Sequence, residues 1–90
     1  MTREELELAA ETLRRASEGT SDETLSAGLA EQADQFATLA EADRGPDHGR
    51  LARHERVLSN LAADADQETA DAIESALEDI RAYRSTIEGV

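Results

Sequence analysis

Both histidines of the chain and three of its nine arginines fall within residues 47–56, which read DHGRLARHER. Side chains of these types can ligate a metal, hold an oxyanion or exchange a proton near neutral pH. The spacing argues against a metal. His48 and His54 are six apart, so on a helix they diverge by about 120° around the axis and by about 9 Å along it. One ion cannot take both, because chelation from a single helix needs a spacing of three or four. The Glu-x-x-His pattern of di-iron bundles does not occur. Nucleophilic catalysis has no better footing. There is no Cys, no Ser stands at a recognisable spacing from a His, and the five Gly are scattered rather than gathered into a phosphate-cradling loop. No catalytic, cofactor or metal residue is assigned, and the chain is not expected to be an enzyme.

These residues must be carried by helices, because apolar positions recur at steps of three and four throughout and never alternate with period two. Four segments are predicted, about 3–18, 21–43, 47–63 and 66–88. Thr2 to Glu5 has the capping-box form, and Thr20 with Glu23 repeats it. Gly19 is the expected C-cap of the first helix. Gly45 ends the second turn, and Pro46 suits the first position of the third helix. Asp64 and Asp66 are both plausible N-caps for the fourth helix, and Gly89 closes the chain. The stripes are Leu6, Ala9, Leu13 and Ala16; Leu25, Leu29, Gln32, Phe36 and Leu39; Leu51, His54, Leu58, Leu61 and Ala65; and Ala70, Ile73, Leu77, Ile80, Arg84 and Ile87.

Short loops make successive helices fold back as neighbours. The fold class that follows is all-α, a single-domain antiparallel up-down-up-down four-helix bundle. A dimeric or helix-swapped arrangement is the alternative, since the first helix has only Leu6, Leu8 and Leu13 as large apolar residues and reads as the weakest member.

Set on a wheel with Leu51 at the origin, Arg50, Arg53 and Arg56 fall at about 260°, 200° and 140°, opposite the core. They read as a solvent face whose arginines pair with carboxylates of neighbouring helices, with an anion-binding or nucleic-acid patch and docking onto an acidic protein partner as the alternatives. His54 projects to the core side, where a hydrogen bond to a carboxylate or a carbonyl is expected. Arg84 differs, because it interrupts an apolar stripe and must pair or reach water at the end of the bundle. Folding the last two helices about residue 65 sets Arg84 opposite position 46. Folding about residue 45 brings Asp43 to the same end, and the topology adds Arg3 and Glu4. Asp43, Asp47, His48, Tyr83 and Arg84 therefore form a candidate cluster. It reads either as a salt bridge that fixes helix register or as a binding site with Arg84 as anion anchor and His48 as proton donor or acceptor.

Asp and Glu number 21 against nine basic residues, all of them Arg, for a formal net charge of -12. Such a chain repels itself at low ionic strength, and at about 1 M salt the screening length falls to about 3 Å. Nucleic acid and anionic membrane surfaces are disfavoured as partners. No leader and no bilayer-length apolar run opens or interrupts the sequence, so a soluble cytoplasmic protein is expected. The acid-rich, Lys-free, Ala- and Thr-rich composition and the helix pattern resemble those of small uncharacterised haloarchaeal helical proteins. That resemblance covers the whole chain, rests on no specific motif, and implies no activity. The expected function is a non-catalytic protein–protein interaction module adapted to high salt, self-associating or docking through the exposed side of the first two helices. The alternative is a small-ligand or anion-binding regulatory bundle that uses the Asp43, Asp47, His48 and Arg84 end.

Overall fold

The computed structural model describes residues 3–87, as helices α1 (Glu4–Gly19), α2 (Glu23–Glu41), α3 (His48–Ala63) and α4 (Gln67–Arg84). No strand occurs among the described residues. Three of the four helices start in the same way. Asp22, Asp47 and Asp66 adopt extended backbone, and each carboxylate accepts a hydrogen bond from the amide three residues on, at Leu25 (3.0 Å), Arg50 (2.8 Å) and Thr69 (3.4 Å). Each such cap contributes about 1 kcal/mol.

The cap positions correct several expectations. Asp22 rather than Thr20 caps α2, while the Thr20 hydroxyl accepts from the Asp22 amide. Asp66 rather than Asp64 caps α4, and Asp64 ends α3. Pro46 lies before the α3 cap, not in the first turn, and is buried there. Gly19 is the last helical residue of α1, and no described glycine has positive φ, so the left-handed C-cap expected there does not form. Arg3 occupies the N-cap position of α1 without a side-chain cap. The proposed box at Thr2, and the segment 88–90 with Gly89, lie outside the described residues.

The helices form a ring. α1 packs on α2 and α4, α3 packs on α4 and sparsely on α2, and the diagonal pairs make no close backbone approach. This is the up-down-up-down bundle. Its centre is closed by Phe36 with Leu6, Leu13, Leu29, Leu51, Leu58, Ile73, Leu77 and Ile80, all fully buried. Burying an aliphatic side chain of this kind stabilises by about 1.5–3 kcal/mol.

α1 is not the weak member. It buries Leu6, Ala9, Ala10, Leu13, Ala16 and Ser17, whereas α3 buries only Leu51, His54 and Leu58. Alanine is the reason. Ala9 and Ala33 are fully buried and Ala10 and Ala40 nearly so, which lets the α1 and α2 axes approach closely and gain dispersion contacts that large side chains would otherwise supply. Leu8, counted among the large apolar residues of this helix, stays 51% exposed.

Candidate functional site

Three places in this frame could support function: the end of the bundle that carries Arg84, the seam between α2 and α3, and the outer groove between α1 and α2.

At the bundle end, the antiparallel register of α3 and α4 brings Arg84 to His48. Arg84 Nε donates to His48 Nδ1 at 3.0 Å, and Nη1 donates to Glu55 Oε2 at 2.8 Å. Glu55 also accepts from Arg81 Nε at 3.4 Å. A guanidinium is a donor only, so His48 must present a bare Nδ1. The network is closed: the head of Arg84 faces a carboxylate and an imidazole lone pair, and the lone pair of His48 is occupied. The remaining members of the predicted cluster stand apart. Asp47 caps α3. Asp43 is exposed, with no hydrogen bond or ion pair among the described residues. The Tyr83 hydroxyl lies instead against Gly45, where an added Cβ would sit 2.7 Å from it and 2.9 Å from Arg3 Nε. Arg3 binds the end of α2: its amide donates to Ala40 O at 2.9 Å and its Nη1 to Leu39 O at 3.1 Å and Ala42 O at 2.7 Å. A cation is favourable there because unpaired carbonyls accumulate at a helix C-terminus.

Glu55, the true counter-ion of Arg84, was missed at the level of sequence. A signal was present, since Glu55 lies only about 40° from Leu51 on the wheel, an acid inside an otherwise apolar arc.

In the seam, the two polar interruptions of the stripes meet. His54 Nδ1 lies 2.8 Å from Gln32 Oε1, both residues being buried. A carboxamide oxygen only accepts, so His54 carries its proton on Nδ1. Its ring tilts against Phe36 with centroids 4.8 Å apart. Burial chiefly, and then the nearby charges of Arg50 and Arg53, hold the His54 pKa below its ordinary value, as removal of water and like charges both disfavour the imidazolium. Above this pair opens a cleft of about 320 Å³ lined by Gln32, Gln35, Arg50, Arg53, His54 and Val57. Arg50, Arg53 and Arg56 are exposed, as the wheel predicts. The carboxylate partners expected for them do not materialise: among the described residues the ion pairs are Arg14–Asp34, Arg81–Glu55 and Arg84–Glu55.

The outer groove runs between α1 and α2. Glu7, Ala10, Glu11, Arg14 and Arg15 of α1 and Ala37 of α2 line a hollow of about 380 Å³. Glu7 also edges two adjoining hollows, one beside Leu8 and one beside Ala37, Ala40 and Glu41.

The model of a family of unknown function, DUF7553, matches residues 1–86. The chain belongs to that family. No curated protein and no solved structure matches it. The family description carries no activity, so chemistry must be argued from the side chains. Among the described residues no group of three or more His, Cys, Asp or Glu could hold a metal ion, and no helix is long and apolar enough to cross a membrane.

Proposed function

We propose that the protein is a non-catalytic helical interaction module that self-associates through α1 and α2 and is adapted to a cytoplasm of high ionic strength. The observation that carries this reading is the outer groove. Ala10 and Ala37 line it among charged side chains, and Glu7 at its edge also borders a hollow beside the half-exposed Leu8. The order of charge along α1 also supports a second copy as the occupant. Glu4, Glu5, Glu7 and Glu11 precede Arg15, which has no ion pair among the described residues, so two antiparallel copies of α1 set acid against base in a self-complementary, two-fold contact. The net charge of -12 argues against nucleic acid as a competing partner. It also argues for salt as a working condition. The alternative, an anion-binding bundle that uses Asp43, Asp47, His48 and Arg84, has less support, because Arg84 already engages Glu55 and His48. That network suits a lock on helix register.

Sedimentation equilibrium in molar KCl tests the reading. A monomer–dimer equilibrium is expected, and Leu8→Glu with Ala37→Glu should abolish it while leaving the helical circular dichroism intact, both residues being exposed. A wild-type protein that stays monomeric at high concentration overturns self-association. Helicity should also rise between low salt and molar KCl, and a flat response counts against the adaptation to salt.

A further inference from the structure

We infer that the seam between α2 and α3 is a binding site for a small oxyanion, a phosphate or carboxylate group gripped by Arg50 and Arg53 above the Gln32–His54 pair. The first support is the unused charge of the two arginines. Carboxylates outnumber basic residues 21 to nine, and Arg14, Arg81 and Arg84 each find one. Arg3 is engaged by backbone carbonyls. Arg15, Arg44, Arg50, Arg53 and Arg56 have no carboxylate within ion-pair distance among the described residues, and of these Arg50 and Arg53, three apart and therefore neighbours on one flank of α3, line the seam cleft together. Guanidinium groups match the geometry of phosphate and carboxylate oxygens.

The second support is the floor of the cleft. With Gln32 Oε1 occupied by His54, the donors of the Gln32 amide are left for a ligand oxygen. Gln35 adds a further amide at the wall. Among the described residues the Gln35 side chain bonds only Glu31, at 3.5 Å, the outer limit of a hydrogen bond. The second ring nitrogen of His54 has no hydrogen-bond partner among the described residues and is able to accept from a ligand hydroxyl. A volume of about 320 Å³ is at the small end of the range for ligand sites. Val57, 41% exposed at the rim, supplies an apolar contact for a short organic body. Those dimensions suit a compact phosphate ester or hydroxy acid rather than a nucleotide.

The seam is separate from the outer groove, so this site does not depend on self-association. Titration of the wild-type protein with inorganic phosphate, and in parallel with lactate, at fixed ionic strength balanced with KCl, is the test, read by the amide and histidine signals in NMR. Saturable shifts confined to Gln32, Gln35, Arg50, Arg53, His54 and Val57 are expected. They should weaken at least tenfold in Arg50→Gln/Arg53→Gln and persist in Arg44→Gln/Arg56→Gln. Binding of phosphate alone assigns a phosphate ester, binding of lactate alone a carboxylate, and binding of both a general oxyanion. Shifts that never saturate, that spread equally over Arg15, Arg44 and Arg56, or that survive in Arg50→Gln/Arg53→Gln overturn the site. The Leu8→Glu/Ala37→Glu variant should bind as wild type does, which separates failure of this site from failure of the interaction surface.

Discussion

The two flanks of α2 solve the same packing problem in opposite ways. Toward α1 the helix offers Ala33 and Ala40, and the partner answers with Ala9 and Ala10, so the backbones come close and the contact is tight. Toward α3 it offers Gly28, Gln32 and Gln35. There Leu61 lies over Gly28, where an added Cβ would meet it at 3.1 Å. One turn on, the buried Gln32–His54 pair is the contact, and beyond it the seam opens. The difference shows that small residues and satisfied polar residues are not equivalent spacers. Alanine removes bulk and draws helices together. A hydrogen-bonded amide and imidazole hold their helices at a set separation and leave side-chain donors at an accessible surface.

The comparison can be broken most forcefully on the tight side. Leu13→Ala removes a fully buried side chain from α1, and a loss of about 2–5 kcal/mol is expected in denaturant unfolding in molar KCl. That is a large share of the total stability of a small domain. If α1 were peripheral, the loss would fall below that range.

The seam should respond differently. His54→Leu alone strands the Gln32 carboxamide and should cost about 1–3 kcal/mol. Gln32→Leu combined with His54→Leu should recover most of that, because no orphaned polar group remains. A double variant as unstable as the single would mean that the pair packs rather than bonds.

Acidification sharpens the same contrast. The His54 pKa is lowered in the folded state from its ordinary 6.5, so between the folded value and 6.5 the unfolded chain binds more protons. The stability that the neutral ring contributes is fully present above 6.5 and is lost as pH falls toward the folded value. Melting temperatures measured downward from pH 7 should decline in wild type and decline less in the Leu/Leu double variant.

The smallest effect lies where the close approach of α1 has an electrostatic cost. Asp79 on α4 has its pKa raised by burial first, then by Glu78 and by Glu5 across the helix pair. Its ionised form is therefore disfavoured in the folded state, and protonation or neutralisation should stabilise. Asp79→Asn should gain less than about 1 kcal/mol, and the gain should shrink as KCl rises, since salt screens the two glutamates.

Much of the fold is legible in the chain. Stripes at steps of three and four place Leu6, Leu13, Leu29, Phe36, Leu51, Leu58, Ile73, Leu77 and Ile80 in the interior, and all are fully buried. The register argument about residue 65 also brings Arg84 to His48 as read. Both depend on local periodicity and short loops, which a sequence states directly. The candidate site was legible only in part. Asp43 and Asp47 reach the right end but point to solvent and to a helix cap. Tyr83 turns to Gly45, and Glu55 takes the place of counter-ion. Side-chain pairing depends on distances of a few ångströms across helices, and the wheel resolves only the direction around one axis.

By itself, then, the sequence determined the number of helices, their apolar faces, the antiparallel order and the surplus of negative charge, because each follows from residue type and spacing along one strand of chain. Only the tertiary structure decided that α1 is tightly held, that Gln32 and His54 satisfy each other, and that Arg50 and Arg53 find no carboxylate among the described residues. Those outcomes depend on how closely two axes approach, a quantity set by the packing of both helices at once and written in neither.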